Sequence, residues 1–314
     1  MAKTKEISRR IKSIGNTKKI TKAMEMVAAA KMRKAVEAVL HTRTYANLSW
    51  ETILHLSVGN NNQRGEKHPL LTVRPSTKRA AIILVTSNRG MCGGYNTAII
   101  NKVKDSIKIH PQVPVEFILV GKKGATIYSQ NQTVAAEFPK GDLLNDAKEV
   151  VPIVSLAIQG FLSGHYDKVF VAYTDFVSAT KQVPRIKQLL PINIEKEDEY
   201  LGVIGESKSE AAKEASSSKT KNNAAPTGFQ YIFEPNPAEV LDMIIPRLLE
   251  VQVFQALLEA NASEHSARMS AMHQATEAAS DMVSELTLFY NKARQASITA
   301  EIAEISAGAN ALLD

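Results

Sequence analysis

The first fifty-odd positions repeat apolar and polar residues with the period of a helix. From Ile7 the row runs through Ile11, Ile14, Lys18, Thr21, Glu25, Ala28, Met32, Ala35, Val39, Thr42, Ala46, Ser49, Ile53 and Leu56, in steps of four and three. This is a heptad-like seam, apolar at both ends and interrupted by Lys18 and Glu25. Proline is absent from residues 1–58 and glycine occurs once, at Gly15. The pattern predicts one helix from Lys3 to Val58, about 80 Å long. Ile20, Met24 and Val27 form an offset row, read as the seam drifting around the helix. Repeated Ala and Thr would let a second helix approach closely.

A polar connector follows over 59–79, with Gly59-Asn-Asn-Asn-Gln-Arg-Gly, His68-Pro and Arg74-Pro. The texture then changes. Ala80–Thr86, Val115–Gly121 and Lys168–Tyr173 are short runs of β-branched and apolar residues, the composition of buried strands. Helical candidates lie between them at Asn96–Ile109, Lys122–Ser129 and Asn145–Leu162, the last with a kink or boundary at Pro152. Alternating strands and helices predict an α/β domain over 80–192 with a partly parallel sheet. Residues 206–226 are a low-complexity Ser/Lys/Ala/Asn tract with little to bury, read as a mobile insertion.

The second long pattern opens on a start signal: Asn236 as cap, Pro237 in first position and Glu239 in third. A seam through Ile244, Leu248, Val251, Leu258, Ala262, Met269, Met272, Ala279, Val283, Leu286, Tyr290 and Ala293 continues it toward the C-terminus. Helical throughout, 237–313 would be roughly 115 Å long. Globular helices average about 11–12 residues, so two helices of this length need each other. They flank a whole domain, and an antiparallel coiled coil is the economical arrangement. The second would overhang the first by about 20 residues, roughly 30 Å.

Charge sharpens this picture. Residues 1–43 hold twelve Lys/Arg against three Asp/Glu, and residues 237–314 hold four against eleven. A basic and an acidic helix in one chain suit mutual pairing or a charged partner, against the plainer reading of two solvated faces. The longest strongly apolar run, Ala80–Val85, is far short of the ~20 residues of a membrane span. The N-terminal segment lacks the apolar core of a secretory leader, and it is Lys-led rather than Arg- and Ser-rich as a transit peptide would be. Cys92 is the only cysteine, which excludes an internal disulfide and a cysteine-based metal cluster.

Candidate chemistry is sparse. Thr86-Ser-Asn-Arg-Gly-Met-Cys-Gly-Gly-Tyr-Asn96 follows a strand and precedes a helix, where phosphate loops sit. It matches neither G-x-G-x-x-G nor G-x-x-x-x-G-K-[ST], and a tight structural turn is the better reading. The basic first helix could contact phosphates, yet aromatic interleaving is sparse and a nucleic-acid signature is missing. Carboxylate pairs or a Ser/His/Asp set do not stand out, so the residues give an enzyme no positive support.

Two terminal blocks are more specific. Arg10-Ile-Lys-Ser-Ile-Gly-Asn-Thr-Lys-Lys-Ile-Thr-Lys-Ala-Met-Glu-Met-Val-Ala-Ala-Ala-Lys-Met-Arg-Lys-Ala35 closely resembles the opening helix of F-type ATP synthase γ subunits. Asn291-Lys-Ala-Arg-Gln-Ala-Ser-Ile-Thr-Ala-Glu-Ile-Ala-Glu-Ile-Ser-Ala-Gly-Ala-Asn-Ala311 is similar to the family's closing signature, I-T-x-E-x-x-E-x-x-x-G-A. Ser87–Asn96, Tyr231–Pro237 and Ala267–Thr276 resemble three further blocks, in order along the chain.

The resemblance implies a long antiparallel coiled coil of N- and C-terminal helices (1–58 and 237–314) with a Rossmann-like α/β domain (80–192). It implies a non-catalytic central-stalk rotor that carries torque between an ion-driven c-ring and the catalytic interfaces of a hexameric ring of α and β subunits. The implied partners are α, β, ε and the c-ring, without nucleic acid or a cofactor. The implied place is peripheral on the cytoplasmic side of a bacterial membrane, with association indirect. By motif position, Met24 faces a β-subunit lever. Arg268, Arg294, Gln295, Thr299, Glu301 and Glu304 serve stator contact or lock the helices. Tyr231, Phe233 and Glu234 belong to a foot near the c-ring and ε. Plastid members carry a two-cysteine regulatory insertion where 206–226 lies, and here it holds no cysteine, which excludes thiol control of that kind.

Overall fold

The computed structural model describes residues 2–60, 68–74, 77–130, 133–143, 146–192 and 237–311. The tract 206–226 and the candidate foot residues Tyr231, Phe233 and Glu234 lie outside them. Two compact units divide the chain, residues 1–29 with 268–314 and residues 30–267. Helix α1 (Ala2–Asn60) and the last helix, α5 (Pro237–Ala311), each supply residues to both. Pro237 opens α5, with Glu239 in its first turn, as the start signal predicts.

In the first unit α1 and α5 pair antiparallel. Lys18 Nζ donates to Ser280 Oγ at 3.0 Å, and Thr276 Oγ1 to Thr21 Oγ1 at 2.8 Å. His273 Nδ1 meets Glu25 Oε1 at 3.3 Å. In each pair the residue numbers add to 297 or 298, which fixes the register. The predicted seam is the covered face: Ile7, Ile11, Ile14, Lys18 and Glu25 are half-buried, and Thr21 and Ala28 are buried. Lys18 and Glu25 belong there because each finds a polar partner across the pair. The offset row corrects the expectation of a drifting seam. Ile20 and Val27 are 60% and 57% exposed, while Thr21 and Ala28 beside them are covered. The seam holds its course, and the row is a second, outward-facing apolar stripe. By the same register Ala2, the first residue of α1, lies opposite residues 295–296, and from Ile298 to Ala307 every α5 position is exposed. Described residues of α5 thus overhang the described start of α1 by about 15 residues, against the roughly 20 expected.

The second unit is built on a five-stranded sheet in the order β3-β2-β1-β4-β5. Its strands are β1 (Ala80–Val85), β2 (Val115–Val120), β3 (Thr133–Phe138), β4 (Lys168–Phe176) and β5 (Gln182–Leu190). The first four run parallel, and β5 is antiparallel to β4. Helices α2 (Tyr95–Ile109), α3 (Lys122–Tyr128) and α4 (Val151–Leu162) make the crossovers. Successive strand residues point to opposite faces. Ile82, Leu84, Phe117 and Leu119 join Ile99, Val103 and Tyr128 of the α2/α3 layer. Ile83, Val85, Ile118 and Val120 join Phe161 of α4 and Ile245, Leu249 and Val253 of α5. Each such aliphatic or aromatic side chain contributes about 1.5–3 kcal/mol when fully buried.

β1, β2 and β4 lie where the apolar runs place them, and β3 and β5 are additional. Both are edge strands. Alternation of exposed and half-buried residues with two alanines blurs β3, and Pro184, tolerated only at an edge or bulge, disguises β5. Pro152 falls in the first turn of α4, preceded by a 3₁₀ turn over Ala147–Val150, so it marks a boundary. The polar connector holds a 3₁₀ turn, Pro69–Leu71, whose Leu70 is buried in the main core. From Val251 to Ser266, α5 is covered on all sides except at half-buried Phe254.

Candidate functional site

Ligands of open α/β sheets bind where strand order reverses, beyond the carboxyl ends of the strands. Here that place lies beyond β1 and β4. The turn Thr86–Asn96 occupies it and closes on itself. Ser87 N–H donates to Asn96 Oδ1 at 3.0 Å, and Asn96 Nδ2 to Ser87 Oγ at 2.7 Å and Cys92 Sγ at 3.2 Å. Thr86 Oγ1 accepts from Gly124 N–H at 2.9 Å and donates to the Gly121 carbonyl at 3.1 Å. Lys122 N–H donates to Asn88 Oδ1. Gly121 has φ +98°, and a Cβ there would overlap the Thr86 carbonyl, so only glycine allows this approach. The side chains of Thr86, Ser87, Asn88 and Asn96 and the Ser87 amide are engaged within the chain, which favours the structural reading of the turn.

α5 fills the rest of the crevice. Glu264 forms a 2.6 Å ion pair with Lys140, the side chains being 7% and 2% exposed. Ser263 Oγ donates to the Thr174 carbonyl and Ser266 Oγ to the Ala179 carbonyl. Asp175 pairs with Arg185 at 2.8 Å. Burial, with the carboxylates of Glu259 and Asp175 nearby, pushes the Tyr173 phenol well above its ordinary range. Among the described residues no three His, Cys, Asp or Glu side chains gather at metal-binding spacing, and no helix is long and apolar enough to cross a membrane.

The first unit offers surface rather than a crevice. Two apolar rows are uncovered, each at i, i+4, i+7: Ile20, half-buried Met24 and Val27 on α1, and Ile298, Ile302 and Ile305 on the overhang. Contiguous exposed apolar patches, unlike single scattered residues, mark contact surfaces. Arg294, Gln295, Thr299, Glu301 and Glu304 are exposed, and Thr299 Oγ1 donates back to the Gln295 carbonyl. Arg268 is half-buried. Period arguments miss Lys140, Asn261, Glu264 and His265. Lys140 and Glu264 stand 124 residues apart and meet only through the fold. The one sequence signal is apolar residues on several faces of 251–258, the mark of a helix buried all round.

Antiparallel terminal helices and a doubly wound sheet recur together in solved ATP synthase central stalks. A chain of the Tetrahymena thermophila mitochondrial ATP synthase central stalk and c-ring aligns at TM-score 0.58 and 23% identity, covering 82% of this chain and 99% of that one. A chain of the Euglena gracilis mitochondrial ATP synthase, in a structure of OSCP, F1 and c-ring, aligns at TM-score 0.62 and 16% identity, covering 99% and 95%. The family model described as ATP synthase matches residues 3–312. The ATP synthase gamma chains of Herpetosiphon aurantiacus and Nitrosomonas eutropha are 40% and 38% identical, over 99% of this chain and 99% and 100% of theirs. The chain belongs to the ATP synthase gamma-chain family.

Proposed function

We propose that this chain is the rotor shaft of an F-type ATP synthase, transmitting torque between a c-ring and the catalytic α/β interfaces without catalysing ATP chemistry itself. The observation that carries the reading is the pair of uncovered apolar rows on a closely paired antiparallel coil: a shaft must hold together while its outer face meets a stator. Met24 faces the β-subunit lever, within the row of Ile20 and Val27. Arg268, Arg294, Gln295, Thr299, Glu301 and Glu304 take stator contacts, and the exposure of the last five favours this over locking the helices together. Tyr231, Phe233 and Glu234 form the foot toward the c-ring and ε. The chain joins the membrane only through these partners, on its cytoplasmic side.

Replacing both Ile20 and Val27 by Asp tests the stator row. Both side chains are exposed, so each substitution changes folding stability by about 0.5 kcal/mol or less, about 1 kcal/mol at most for the pair. ATP-driven ion pumping by the reassembled enzyme in vesicles falls, because desolvated charges oppose the rotor–stator contact. Unchanged pumping would remove the row from the stator interface.

A further inference from the structure

We propose that Lys140–Asp142, the segment just after β3, is a torsion clip that sets the rotational position of both long helices in the α/β unit. This rests on the rotor reading. Three consecutive residues hold α5: Lys140 Nζ pairs with Glu264 Oε2 at 2.6 Å, Asn261 Nδ2 donates to the Gly141 carbonyl at 3.2 Å, and His265 Nε2 donates to the Asp142 carbonyl at 3.1 Å. The same segment reaches α1 through Asp142 Oδ2 and Lys31 Nζ at 2.7 Å. It is itself anchored to the glycine-rich turn, where Asn88 Nδ2 donates to the Lys140 carbonyl at 2.6 Å.

Direction separates these contacts from the apolar core around them. Hydrophobic burial is non-directional, so a helix can turn in an apolar sleeve while keeping much of its buried area. Hydrogen bonds weaken steeply with misalignment. Asn261, Glu264 and His265 stand at i, i+3 and i+4, on one stripe of α5. A one-residue rotation, about 100°, would break all three bonds together. It would also part the buried charges of Lys140 and Glu264, and breaking such a pair is costly. A shaft under torque needs this resistance to twisting, and the clip supplies it to both helices from one point.

The test uses the assembled enzyme in sealed vesicles, comparing ATP hydrolysis with ion pumping against an imposed gradient. Lys140→Met with Glu264→Leu removes the charges and keeps the volume. The expected result is normal incorporation and hydrolysis with severalfold weaker pumping under load, restored by the charge swap Lys140→Glu with Glu264→Lys. Pumping equal to wild type in the apolar double variant overturns the clip. If that variant does not incorporate, Asn261→Ala with His265→Ala keeps the ion pair and removes the two flanking bonds, and the same loss under load is expected. Failure of both variants to incorporate also overturns the proposal, since the bonds would then serve folding alone. A wild-type enzyme whose hydrolysis drives no pumping counts against the rotor reading instead.

Discussion

Asp167 accepts from Arg74 Nη1 at 2.9 Å and from the backbone N–H groups of Lys78 and Arg79 at 2.6 and 3.1 Å. The Arg74 hydrogen bond, with smaller help from the two amides, holds its carboxyl below the ordinary value of 3.8. A depressed folded-state value stabilises the fold fully above the unfolded value and is lost as pH falls through the folded one. Asp167→Asn therefore destabilises the chain near neutrality, and the gap to wild type closes below pH 3.8. Unfolding midpoints measured across that range check this; a gap that stays constant into acid would assign the loss to shape rather than charge. Asp142 is lowered in the same sense, first by its hydrogen bond from Lys31, so the arm of the clip that reaches α1 weakens in acid as that carboxylate protonates.

The long helices were legible in the sequence because their signal is periodic and uninterrupted. Ile7 through Ala28 recur on one face, and pairing with α5 covers that face. Ala28, 2% exposed, tests the closeness of this packing. Ala28→Phe overpacks the seam and costs about 1–3 kcal/mol, read as a lower denaturant midpoint of the purified chain. An unchanged midpoint would mean the helices part easily at that point. The buried strands β1, β2 and β4 were legible for a related reason, being continuous apolar runs covered on both faces. Edge strands β3 and β5 were not, since a strand paired on one side needs no apolar run and tolerates Pro184. The outward row Ile20, Met24, Val27 reads as seam drift because periodicity locates a stripe without saying what covers it. Motif resemblance, rather than period or composition, singled out Arg268, Arg294, Gln295, Thr299, Glu301 and Glu304. The crevice residues Lys140, Asn261, Glu264 and His265 depend on contacts between distant segments, which local patterns do not encode.

Taken as a whole, the chain puts its buried polar bonds where a ligand would otherwise sit and leaves its apolar rows outside. Ligands of open α/β sheets bind at the switch-point crevice, and here α5 occupies it. The proposed rotor reading rests on the uncovered rows of the paired helices, and rotation tests it most directly. Ile109, at the end of α2, is 72% exposed, whereas Cys92 is buried. Ile109→Cys therefore gives one accessible thiol on the α/β unit for a bead or filament. With the chain assembled into an immobilised hexamer of its α and β subunits, added ATP should drive continuous rotation of the probe in one direction. Steady ATP hydrolysis beneath a stationary probe would contradict the account.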